Sequence, residues 1–215
     1  MVYTCECTGI PGMTLALASP IQMITNCDRV VSMRLGRWIL LAGIGWMSVS
    51  GWAETGSSTI KDIIPIIQTW ATHPELVAAV KSQNAQARSL ASIQALDNAW
   101  VKAANEDPLV QGVLHNSAAS TLKTLAGSKP YYVELILMDQ YGANVAATQR
   151  TSDYWQGDEA KFLETYPKGP DAIHKGKPEY DASVKGYVVQ VSIPIVDQGQ
   201  NIGALTVNIL LKAIP

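Results

Sequence analysis

Apolar positions recur along the chain with helical spacing first and strand spacing later. Ile60, Ile63, Ile64 and Ile67 lie on one helical stripe that ends at Trp70, and Pro65 inside it predicts a kink. His73-Pro74 breaks the pattern, and Pro74 with Glu75 suits the first turn of a second helix, Pro74 to about Lys81. A third run, Ser89 to Glu106, places Leu90, Ile93, Leu96, Ala99, Trp100 and Ala103 on one side. These three pieces predict a helical layer on one face of a sheet. Asp107-Pro108 opens a fourth helical segment, Leu109 to Leu125, which Gly127-Ser128-Lys129-Pro130 ends.

Four runs then read as strands: Tyr131 to Met138, Ala143 to Thr148, Gly186 to Val196 and Asn201 to Lys212. Asp139-Gln140-Tyr141-Gly142 joins the first two as a tight antiparallel turn, and Asp197-Gln198-Gly199-Gln200 joins the last two. Side chains alternate along a strand, so Tyr187, Val189, Val191 and Ile193 share a face with an apolar surface to offer the helices. The opposite face carries Gln190, Ser192, Thr206 and Asn208 in mid-strand. Polar groups there need either water or a partner.

Regularity stops after the first hairpin. Residues 149–157 hold a guanidinium, a carboxylate, hydroxyls, a phenol, an indole and amides, and Asp158 and Glu159 then open a short helical segment ending near Tyr166-Pro167. Arg150 can fork onto a carboxylate, Asp153 can hold an ammonium or fix that arginine, and Tyr154 and Trp155 can exclude water. A purely structural reading is also open: an Arg150–Asp153 ion pair, a core Trp155 and a capping Asp158. Between the hairpins, Lys168 to Lys185 is long and polar, as functional or mobile connections are.

The run DQYGANVAATQRTSDYWQGDEAKF, with the later KGYVVQVSIPIVDQGQNIGALTVNILL, resembles the extracytoplasmic Cache or PAS-like (PDC) sensor domains over roughly residues 60–214. The resemblance implies an α+β fold: a PAS-like antiparallel sheet with long N-terminal helices packed on one face. It implies a small-molecule-binding sensor and does not imply catalysis, with Arg150 to Trp155 as pocket wall, Asp158 fixing the loop, and the polar sheet face as cavity floor; no cofactor is expected. Only through this resemblance are Tyr180 and Asp181, in the connection between the hairpins, candidates for closing the pocket. The chain departs from the family pattern at Lys161-Phe162, where Trp-Trp is common, which leaves pocket depth and ligand class open.

The beginning of the chain changes the picture of location. Met33-Arg34-Leu35-Gly36-Arg37 is a basic start, Trp38 to Val49 is apolar, and Gly51 and Ala53 are the small residues of a cleavage site, so residues 33–53 read as a signal peptide. A membrane anchor is the alternative, although the apolar run is shorter than the ~20 residues of a span. Residues 1–32 read as an over-extended gene start, and 54–215 as a single domain. Cys5, Cys7 and Cys27 all precede Met33, so the exported part would depend on packing rather than disulfides. Three of the 16 basic and two of the 18 acidic side chains precede residue 54, which leaves 13 against 16, a mildly acidic domain with no footprint for nucleic acid.

His73, His115 and His174 each stand alone, without partners at metal spacing, and no nucleophile elbow, phosphate loop or HExxH occurs after residue 53. The expectation is a periplasmic sensor for a small polar metabolite, such as a carboxylate or amino acid, that signals through a membrane receptor or kinase partner. The alternatives are a ligand-independent module that forms a homodimer through its N-terminal helix, and a hydrolase using Asp153 or Asp158.

Overall fold

The computed structural model describes residues 59–215. The gene-start, signal-peptide and cysteine readings lie outside those residues.

The helical layer begins as expected. Helix α1 (Ile60–Gln68) starts at Thr59, whose backbone N–H and Oγ1 both donate to the Asp62 carboxylate at 2.8 Å. A 3-10 turn (Thr69–Thr72) continues it to the break at His73. Helix α2 (Pro74–Asn84) follows, with proline at its first position and Glu75 in the first turn. Helix α3 (Leu90–Lys102) is capped by the Ser89 hydroxyl, which accepts from Ser92 N–H at 3.2 Å.

The fourth run is two helices, α4 (Pro108–Leu114) and α5 (Ser117–Ala126). Asn116 causes the break. Its Oδ1 accepts from Ala119 N–H at 2.8 Å and so caps α5, while its Nδ2 donates to the Gly112 and Val145 carbonyls, both at 2.8 Å.

Strands β1 (Tyr132–Met138) and β2 (Asn144–Ala147) form the first hairpin, and β5 (Gly186–Asp197) and β6 (Gln200–Leu210) the last. In the first turn Gly142 has φ of +81°, and an added Cβ there would sit 2.4 Å from the Cα of Gly157, so both backbone conformation and close approach require glycine. The 168–185 connection contains two short strands that the sequence pattern did not reveal, β3 (His174–Lys175) and β4 (Glu179–Asp181), both paired with β5. The antiparallel sheet runs β2-β1-β6-β5-β3, with β4 also on β5.

The register fixes the two faces. Leu135, Leu137, Leu205, Val207, Ile209, Val191, Ile193 and Ile195 pack beneath α1, α2 and α5, with Ile63, Ile67, Leu76, Val80 and Leu122 fully or almost fully buried among them. Burial on this scale is the main favourable term holding the fold. The expected grouping of all three N-terminal helices on that face is corrected for α3. Its Ile93 and Trp100 pack instead with Val110, Val113, Ala143, Ala147 and Tyr154, so α3 braces the loop after β2. A third cluster, Ile136, Met138, Ala204 and Phe162, with Tyr166 against it, lies on the second sheet face.

Candidate functional site

The loop after β2 is built around hydrogen bonds to its own backbone. It covers the free edge of β2: Asn144 N–H donates to Tyr154 O at 2.9 Å and Gln156 N–H to Gly142 O at 2.8 Å. Asp97 of α3 pins it from outside, its Oδ1 accepting from the backbone N–H of Tyr154 at 2.8 Å and of Trp155 at 3.0 Å. Buried Gln156 donates to Asp153 O at 2.6 Å, and buried Asn144 donates to the same carbonyl at 3.0 Å and to Thr151 Oγ1 at 2.8 Å. Most of the specific residues in this run therefore make the loop's own shape.

The candidate residues do not converge. Arg150 is committed to the end of α3, donating to Trp100 O at 2.6 Å and Asn105 Oδ1 at 2.9 Å with its guanidinium 5.5 Å from the Trp100 ring centre. Among the described residues it forms no ion pair with Asp153, so the ion pair of the purely structural reading is corrected. Tyr154 is buried against Trp100, and its hydroxyl accepts from Arg88 Nη1 at 2.9 Å. Burial raises the Tyr154 phenol's pKa, while Arg88 opposes that shift. Trp155 is half-buried and donates from Nε1 to Tyr141 O at 2.7 Å. Asp153, Trp155 and Asp158 do share a cleft of about 540 Å³ with Gln94, Asp97, Asn98 and Glu159. Tyr180 is 61% exposed and meets Tyr187 edge to face at 5.6 Å across the β4–β5 pair.

The second sheet face holds the other four, and it is covered rather than solvated. Ser192 and Thr206 are fully buried and share a hydrogen bond of 2.9 Å. Asn208 is buried, Gln190 opposite it is half-buried, and Asn208 Nδ2 donates to Glu134 Oε2 at 2.6 Å. The cover is helix α6 (Ala160–Leu163) with the turn Tyr166–Lys168, after which strand β3 extends the sheet edge, its His174 pairing with Ser192. Phe162 and Tyr166 stack at 5.1 Å above Ile136 and Met138, and Asn201 Nδ2 donates to Tyr166 O at 2.6 Å.

Of two further residues of this patch, Lys161 entered the sequence reading only as a departure from the family pattern, and Glu134 not at all. Lys161 is 6% exposed, and Glu159 Oε2 lies 3.1 Å from its ammonium. Burial pushes the Glu134 carboxyl's pKa above its ordinary 4.5; Gln149, Lys161 and Asn208 pull it down and Asp181 adds to the rise. The signal for Glu134 was one acid in an apolar strand, opposite Asn208 in register. Asn208 Oδ1 is buried with no partner. A buried cation, a half-buried acid and an unpaired amide oxygen thus lie on this face, where partial burial strengthens polar interactions.

No group of metal-ligating side chains occurs among the described residues, and none of their helices is long and apolar enough to cross a membrane. No family model and no curated protein matches the chain. Solved structures similar to it are sensor domains. One is that of the V. cholerae histidine kinase DctB, at 15% identity over 70% of this chain and 48% of that one, with a TM-score of 0.37. Another is the sensory domain of the Campylobacter jejuni chemoreceptor Tlp3 with isoleucine bound, at 19% identity over 72% and 66%, with a TM-score of 0.35. A third is the ligand-binding domain of the Pseudomonas fluorescens chemoreceptor CtaA in complex with L-alanine, at 13% identity over 71% and 57%, with a TM-score of 0.32. The chain spans about half to two thirds of the length of these domains. At such scores the functional reading rests on the chain's own residues.

Proposed function

We propose that this protein is a Cache-type extracytoplasmic sensor that binds a small polar metabolite beneath the α6 cover and acts in signal transduction through a membrane partner. The observation that carries the reading is the sealed polar patch, above all Asn208 Oδ1, a buried acceptor without a donor. An apolar filling would be the cheaper way to seal a sheet face, so a retained cation, acid and unpaired amide favour a guest that completes them. Lys161 and Asn208 suit a guest with a carboxylate and a hydrogen-bond donor, as a hydroxy acid or amino acid has. Asp153, Asp158 and Trp155 serve the loop and its cleft in this reading, with no catalytic role.

A thermal-shift panel of organic acids, amino acids and amines tests it. At least one compound raises the melting temperature of the wild type, and Lys161→Met and Asn208→Leu each abolish that rise while remaining folded by circular dichroism. Flat melting curves across the panel, together with a concentration-independent dimer by light scattering, favour the interaction module instead. Fusion of residues 33–53 to a reporter active only after export tests the periplasmic assignment.

A further inference from the structure

The geometry points to a second small-molecule site, in a groove of about 570 Å³ between α2, α4 and β2 that shares no lining residue with the covered patch. It would take a small organic anion that carries its own O–H or N–H donor.

The strongest feature is Asn144, fully buried in the groove wall. Its Nδ2 donates to Asp153 O and Thr151 Oγ1. A backbone carbonyl only accepts, so the amide orientation is fixed, and the buried Oδ1 is left with no partner. A donor reaches it only where the groove wall yields, and a ligand bearing an O–H or N–H is the guest that would complete it.

The cation is Arg88. Ala87, at φ of +49°, turns the chain out of α2 in a conformation that alanine rarely adopts, and Arg88 follows it into the groove. The bond to Tyr154 OH takes one N–H of Arg88, and the planar guanidinium has further donors to offer a carboxylate. Glu75, also in the wall, is placed to favour an ammonium.

Gly112 adds an independent observation. It sits in the middle of α4, where glycine weakens a helix, yet an added Cβ would meet nothing within 4 Å. No packing demand explains the glycine. Its effect is to leave that wall open, beside the apolar surface of Leu109 and Val113.

The test is amide chemical-shift mapping of the full chain with L-lactate, L-serine and propionate as separate probes. L-lactate, L-serine or both shift the amides of Gln83 to Arg88 and of Asn144 and Val145, and propionate, which lacks the donor, binds at least roughly tenfold more weakly. Serine alone points to an amino acid answered by Glu75, and lactate alone to a hydroxy acid. Gly112→Phe, which fills the groove from a position with room, and Arg88→Ala each weaken binding roughly tenfold or more. Absence of groove shifts with both donor-bearing probes, equal binding of propionate, or binding that survives Gly112→Phe overturns the site. Amides of Ser192 and Thr206 report the covered patch separately, so the failure of one site is distinguishable from the failure of the other.

Discussion

Glu134 shows how a single carboxyl records the state of the patch. Burial raises its pKa, so in the folded protein it holds its proton to a higher pH than in the unfolded chain. The sign follows from linkage: stability associated with this group is full below the ordinary 4.5 and is lost as pH rises through the raised value. Glu134→Gln removes that dependence. The melting temperature of the wild type should therefore fall relative to that of Glu134→Gln as pH rises from 4.5 upward, with the gap constant once Glu134 is ionised. Parallel melting curves at every pH would mean that Glu134 is solvated and the patch is open. A ligand with a positive group near Glu134 should reverse the trend, since an opposite charge restores the ionised form.

At the scale of elements, the first hairpin and the loop that returns to it act as one unit. Gly142 and Gly157 touch backbone to backbone, and α2 holds the turn through Gln83 Nε2, which donates to Asp139 Oδ2 at 2.9 Å, and Asn84 Oδ1, which accepts from Gln140 N–H at 3.1 Å. Gly142→Ala should cost about 1–3 kcal/mol for the backbone conformation alone, with the clash against Gly157 added. Urea unfolding measures it, and a loss under ~0.5 kcal/mol would show that the loop can move away at little cost. The hairpins were legible in the sequence because Asp-x-x-Gly and Asp-Gln-Gly-Gln separate runs of period two, and the α1–α2 break because proline announces it. The division of α4 from α5 was hidden by continuous helical spacing across Asn116. Strands β3 and β4 were hidden because pairing with β5, rather than their own Gly-, Pro- and Lys-rich composition, makes them strands. For the site, alternation correctly placed Gln190, Ser192, Thr206 and Asn208 on one face. Arg150 and Tyr154 were harder to read because the residue types that bind ligands are the same ones that wire a loop, and only coordinates show where their hydrogen bonds go.

Across the whole molecule, the two faces of the sheet are held with unequal strength, and that inequality is what a binding protein of this design requires. One face lies under three helices and a large apolar cluster. The other lies under a four-residue helix and a three-residue 3-10 turn, and the chain then returns to the sheet edge as two strands of two and three residues, with exposed segments around Pro167, Pro170 and Pro178. Few apolar contacts anchor this cover, so its local opening lies far below global unfolding in free energy. A guest can then reach Lys161, Glu134 and Asn208 without disturbing the helical face. Hydrogen exchange should accordingly find the amides of 161–165 and 174–181 exchanging well before those of 135–138, 189–195 and 204–209. A ligand bound beneath the cover should slow the first group while barely changing the second, because it stabilises the closed form against a local opening. Exchange of cover and sheet in one cooperative step would leave no route to the patch short of unfolding, and the patch would then be a sealed polar core rather than a binding site.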